Sequence, residues 1–143
     1  LVQLPAVLRG APDLVSGFSG PGRLRPESRV AVQLRLARLL GCPPCRAIFP
    51  TLARKLGLSQ DQVDAALRGE VGPLPEEAGA AMSWMEAIVA GEGSPPLVVP
   101  EAARRLSEAQ RRHLVVFTRF DLMVHATGLM FLPHAMIERA HTA

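Results

Sequence analysis

Cys42 and Cys45 are the only two cysteines in the chain, and they sit in the string Gly41-Cys42-Pro43-Pro44-Cys45. Two thiols at this spacing can close a disulfide on themselves, which suits thiol–disulfide exchange better than packing. Pro43 fits the first turn of a helix, where its missing N–H costs nothing. The donors left at such a start, on Cys45 and Arg46, would point back toward the Cys42 sulfur, and the helix dipole favours negative charge there. Arg46 adds a positive side chain nearby. On these grounds Cys42 is the better thiolate: a helix-start thiol ionises at about 3.5–7.5, against about 8.5 for a free cysteine. An inert disulfide or buried thiols is the plainer alternative, and metal binding is a third. Zinc would need two more ligands, and His113, His125, His134 and His141 form no second tight pair. No metal and no organic cofactor is expected. His113, His134 and His141 read better as surface or interface residues.

A second constellation is Asp121 with His125, at i and i+4 on a late, otherwise apolar helix. That spacing lets a carboxylate orient an imidazole, as a proton relay requires. A polar stripe at a helix or subunit boundary accounts for the same residues without chemistry. Glu27 lies near a helix start and reads as a capping acid. Gln33 could face the cysteines, but an amide is not a base.

The elements that must position these residues are marked by proline and glycine, thirteen and twelve of them. Residues 1–26 read as a loop-rich N-terminal segment with one short helix over Asp13 to Phe18. Residues 27–143 read as a single helical domain. Val30, Val32, Leu34 and Leu36 alternate like a strand, yet Val30, Leu34, Ala37 and Leu40 fit one helical face. The helix formers up to Leu40 and the stop at Gly41 favour a helix from Glu27. The next helix runs from Pro43 to Leu56, with a bend expected at Pro50. Ser59 with Gln62 and Ser107 with Gln110 are capping boxes, opening one helix through Leu67 and a long one to about Met130. Between them a helix starts at Pro75-Glu76-Glu77 and buries Met82, Met85, Ile88 and Val89, and Pro100 opens a short helical turn. The long helix is apolar on nearly all sides, which predicts a place at the centre of the core or in a subunit interface. Trp84 and the five methionines read as packing residues. A last helix runs from Pro133 to about Ala140. The class is all-α, with six to eight helices and a homo-oligomer expected.

At 143 residues one domain with a real core is expected. The 48% hydrophobic and 20% charged residues are ordinary for a folded, soluble protein. No apolar run reaches the ~20 residues of a membrane span. Leu1 to Gly10 carry neither a basic leader nor a small-residue cleavage site, so a cytoplasmic protein is expected. There a lone pair of this kind is redox-active or metal-binding more often than a structural staple. The net charge of +3 comes from arginines dispersed among acids, which argues for a solvated surface over a nucleic-acid face.

"ARLLGC", the cysteine pair and "LARKLGLSQDQVDAAL" together resemble the alkyl hydroperoxidase D / carboxymuconolactone decarboxylase superfamily. The Pro-Glu-Glu helix, the "LSEAQ" helix start and the segment Phe117 to Leu129 extend the likeness over about Glu27 to Met136. The resemblance implies an all-helical, oligomeric protein whose cysteine pair reduces peroxides. Its cysteine pair would be recharged by a dithiol reductant, a lipoyl-type carrier or a small protein thiol. In the redox branch the second cysteine passes through a sulfenic acid and the first closes the disulfide, which implies those roles for Cys45 and Cys42. The decarboxylase branch does not normally carry the pair. The chain departs from the redox branch at Val30, where the branch has Glu, at Phe49, where it has His, and at Pro44, where His or Tyr is frequent. Disulfide exchange loses less from these changes than peroxide cleavage, which gains more from a proton donor.

Two rival functions have other bases. Ala53, Gly57 and Val63 match the spacing of a helix-turn-helix DNA-binding unit. Gln60 and Gln62 could read bases there, but Asp61 and Asp64 would be repelled by phosphates, and only Arg68 is basic. A relative without activity, serving as an oligomeric scaffold, is the third reading.

Overall fold

Proline before a helix and glycine after it set most of the boundaries in the computed structural model, which describes residues 11–127. Six α-helices and one 3-10 turn follow one another: α1 (Ala11–Ser19), α2 (Pro26–Leu40), α3 (Pro43–Lys55), α4 (Gln60–Arg68), α5 (Glu76–Ala90), the 3-10 turn Glu101–Arg105 and α6 (Glu108–Ala126). No strand occurs among the described residues, so the fold is all-α there. The expected helix over Pro133 to Ala140, the end of the long helix near Met130, and His134 and His141 lie outside the described residues.

Both capping boxes form. Ser59 accepts from the Gln62 N–H at 3.2 Å and Ser107 from the Gln110 N–H at 3.1 Å, while each glutamine returns a bond to its serine N–H. α2 ends at Gly41, whose φ of 64° is the left-handed geometry that glycine adopts without strain. α3 runs through Pro50 to Lys55 without a break.

α2 and α5 make the centre. Val30, Ala31, Val32, Leu34 and Leu36 are all buried, because α3, α4 and α5 pack around α2 from different sides. Multi-sided burial is why the α2 sequence carries a strand-like alternation and a helical face at once. On α5, Met82, Met85 and Ile88 are fully buried, and Val89 is partly buried against the same cluster. Trp84 is buried as well, and its Nε1 donates to the Arg111 carbonyl at 3.0 Å, tying α5 to α6.

α6 packs on α1 and α5 and reaches the main core cluster through Leu114. His113, Leu114, Val116 and Thr118 are buried, but Phe120 is 39% exposed, and Asp121 to His125 are half-buried. α5 packs against α2, and its Ala78, Ala81, Met82, Met85 and Ile88 are fully buried. His113 is a correction, since it is 1% exposed and not a surface residue. Gly17 of α1 makes room for it: a Cβ at that position would lie 1.7 Å from His113 Nδ1. The imidazole sits between Phe18 and Phe117, with ring centroids 5.9 and 5.8 Å away. Burial lowers its pKa from the usual histidine value, and the Arg29 guanidinium pushes the same way.

Candidate functional site: the cysteine cavity

The left-handed turn at Gly41 swings the chain from α2 into α3, and the Cys42 N–H donates to the Ala37 carbonyl at 3.0 Å. Cys42 thereby becomes the N-cap of α3, with φ −81° and ψ 103°. Its sulfur accepts the Cys45 N–H at 3.4 Å. The two sulfurs are 1.99 Å apart and the Cα atoms 5.3 Å, so the pair is a disulfide. One backbone donor reaches the Cys42 sulfur, not the two expected. The Arg46 N–H bonds the Cys42 carbonyl at 3.0 Å instead, as the first turn of a helix requires. The Arg46 side chain lines a different cleft from the one that reaches the sulfurs.

Cys42 and Cys45 are 2% and 6% exposed, yet a cavity of about 120 Å³ opens onto both. Leu36, Ala37, Leu40 and Phe49 form its apolar wall, and Gln33 also lines it. The remaining lining residues are Asp121 and His125. The two constellations read from the sequence thus meet in one cavity, brought together by α2, α3 and α6. Asp121 is half-buried there, and burial pushes its carboxyl up to about 7, because the charged form loses hydration. Near neutral pH it holds a proton about half of the time and can give or take one.

The positions at which the resembled redox branch carries its acid and histidine have other uses here. Val30 is 1% exposed in the main core cluster, and Phe49 packs on Ala37, Cys42 and Cys45. Pro44 is buried beside them. Leu36 and Leu40 carry no chemistry and no sequence signal as cavity residues, whereas Phe49 stands where the resembled branch has its histidine. Only their place on the cysteine side of α2 reveals the two leucines. Among the described residues no group of three or more His, Cys, Asp or Glu side chains is placed to hold a metal ion. No described helix is long and apolar enough to cross a membrane.

The helix-turn-helix positions form a packed corner. Ala53 and Val63 are buried, and Gly57 turns with φ 101°. On the outer face of α4, Gln60 bonds Asp64 at 3.0 Å and Arg68 pairs with Glu70 at 2.8 Å. No protein-family model matches the chain, and neither does any curated protein or solved structure.

Proposed function

We propose that the chain is a thiol–disulfide oxidoreductase in which Cys42 and Cys45 cycle between dithiol and disulfide, with Asp121 and His125 as the proton relay. One observation carries this reading: α6 delivers a carboxyl poised near 7 and an imidazole to the cavity that holds the only thiol pair. A carboxyl with that pKa can protonate a departing group near neutral pH, which an ordinary carboxylate does poorly. The likeness to the alkyl hydroperoxidase D superfamily points the same way, with the relay moved to α6.

In the reductive half, a thiolate of an external dithiol attacks Sγ of Cys45, the less buried residue of the pair. The S–S bond breaks and its electron pair goes to Cys42 Sγ, where the Cys45 N–H and the helix start stabilise the thiolate. Asp121 or His125 supplies the proton that makes it a thiol. The second donor thiol then displaces Cys45 and leaves as the oxidised donor disulfide.

In the oxidative half, the dithiol reduces a disulfide by the reverse steps, or a peroxide. For a peroxide, the Cys45 thiolate attacks one oxygen, the O–O bond breaks, and the departing alkoxide takes the Asp121 proton. Cys42 condenses with the resulting sulfenic acid, releasing water and restoring the disulfide. A cavity of about 120 Å³ fits a small hydroperoxide or the tip of a dithiol arm.

The test is turnover of the purified protein with dihydrolipoamide as donor and either a small hydroperoxide or a mixed disulfide as acceptor. Turnover that vanishes in both Cys42→Ser and Cys45→Ser supports the reading. Absence of turnover with both acceptors rejects it in favour of the scaffold. Salt-sensitive retention of duplex DNA by a protein without turnover would favour the helix-turn-helix reading.

A further inference from the structure

A second cleft, of about 730 Å³, lies between the end of α2, the first turn of α3 and the end of α4. Arg35, Arg38, Arg46 and Arg68 line it together with Asp64 and Glu70. It shares no lining residue with the cysteine cavity. We infer that this cleft binds an oxyanion, a phosphoryl or carboxylate group, through Arg38 and Arg46.

The four arginines are not equivalent. Arg35 is held by Glu86 and donates Nη1 to the Leu67 carbonyl at 3.0 Å. Gly69, with φ 79°, leaves it space, since a Cβ there would meet Arg35 Nη2 at 2.7 Å. Arg68 is paired with Glu70 through bonds of 2.8 and 3.0 Å. Asp64 accepts from Gln60 Nε2 at 3.0 Å. The side chains of Arg38 and Arg46 make no ion pair or hydrogen bond with any described residue. The cleft therefore offers two uncommitted guanidinium forks beside a fixed floor.

Helix-end electrostatics explain only part of this. Arg38 and Arg68 lie in the last turns of α2 and α4, where a cation complements the helix dipole. Arg46 lies in the first turn of α3, where a cation is disfavoured, and that turn has no acidic residue to offset it. An anion held between Arg46 and Arg38 removes the conflict. Guanidinium forks match the paired oxygens of phosphate and carboxylate. The cleft volume is within the range of small-molecule sites, roughly 300–1,000 Å³. Asp64 and Glu70 would accept from hydroxyl or amino groups on the rest of the ligand.

The test is titration of the full chain with inorganic phosphate and with citrate at fixed ionic strength, with chloride as control. The readout is the arginine Nε–Hε NMR signals. Saturable shifts of the Arg38 and Arg46 signals are expected for at least one anion, phosphate pointing to a phosphoryl ligand and citrate to a carboxylate. Arg38→Gln and Arg46→Gln should each weaken that affinity about tenfold, the usual scale for a lost charged hydrogen bond. The Cys42→Ser/Cys45→Ser double variant should bind unchanged, which separates this site from the thiol chemistry. Shifts that do not saturate, that chloride reproduces, or that survive both arginine substitutions would overturn the inference.

Discussion

The carboxyl of Asp121 is the residue on which the proposed chemistry turns. Its pKa near 7 comes from burial, and Asp121→Asn removes the titration while keeping the shape. Peroxide turnover of the wild type should show an inflection near pH 7. In Asp121→Asn that inflection should vanish and the rate at pH 7 fall by about 10²-fold, the lower range for a lost general acid. An unchanged pH profile would remove Asp121 from the relay. The thiols can be told apart in the same way. Cys45→Ser keeps the backbone N–H that reaches the Cys42 sulfur, so Cys42 should be alkylated with a pKa below about 8.5. If Cys42 alkylates only above that value, the helix start does not activate it. A stabilised Cys42 is also compatible with the family-implied order, because the better thiolate is the better leaving group when Cys45 is attacked.

At the scale of elements, the contact between α1 and α6 is the tightest that a single residue guards. Gly17→Ala would push a methyl into the His113 ring, and overpacking of this kind costs about 1–3 kcal/mol. A melt that moves by less than 1 °C would contradict the close approach. His113 adds a pH dependence of definite sign. Its pKa is lowered by burial, so the unfolded chain takes up the proton first as the pH falls through 6.5. The stability from neutral His113 is therefore present above pH 6.5 and is lost on acidification, and His113→Phe should flatten that part of the curve. Elements of this kind were legible to different degrees. Ser59, Gln62, Ser107 and Gln110 announce their helices because a capping box is a local device. Gly41 marks the end of α2 for the same reason. The place of α6 was not legible, since an apolar helix can be covered by the core, by a partner or by a neighbour such as α1. The burial of His113 is not legible locally, because it depends on Gly17, far away in sequence. The meeting of Asp121 and His125 with the cysteines shares this origin: the i and i+4 spacing is local, and the cavity it faces is tertiary.

Over the whole molecule, the α2–α5 core fixes the three helices that frame the cysteine cavity, and the proposed relay carboxyl is set against stability. A carboxyl whose pKa rises from 3.8 to about 7 on folding contributes stability that is complete below pH 3.8 and lost as the pH rises through 7. Asp121→Asn should therefore lessen the decline in stability toward neutral and alkaline pH, measured by denaturant unfolding across pH 4–9. An Asn variant that declines as steeply as the wild type would contradict the burial of this carboxyl. The central claim, that the Cys42–Cys45 disulfide is made and broken by cellular dithiols, is tested most directly by its reduction potential, measured by equilibration against lipoamide and glutathione couples. The account predicts a value between about −180 and −300 mV, in the span of exchange-active pairs. A bond that stays closed against every couple in that range would be a structural staple, and the proposed cycle would be contradicted.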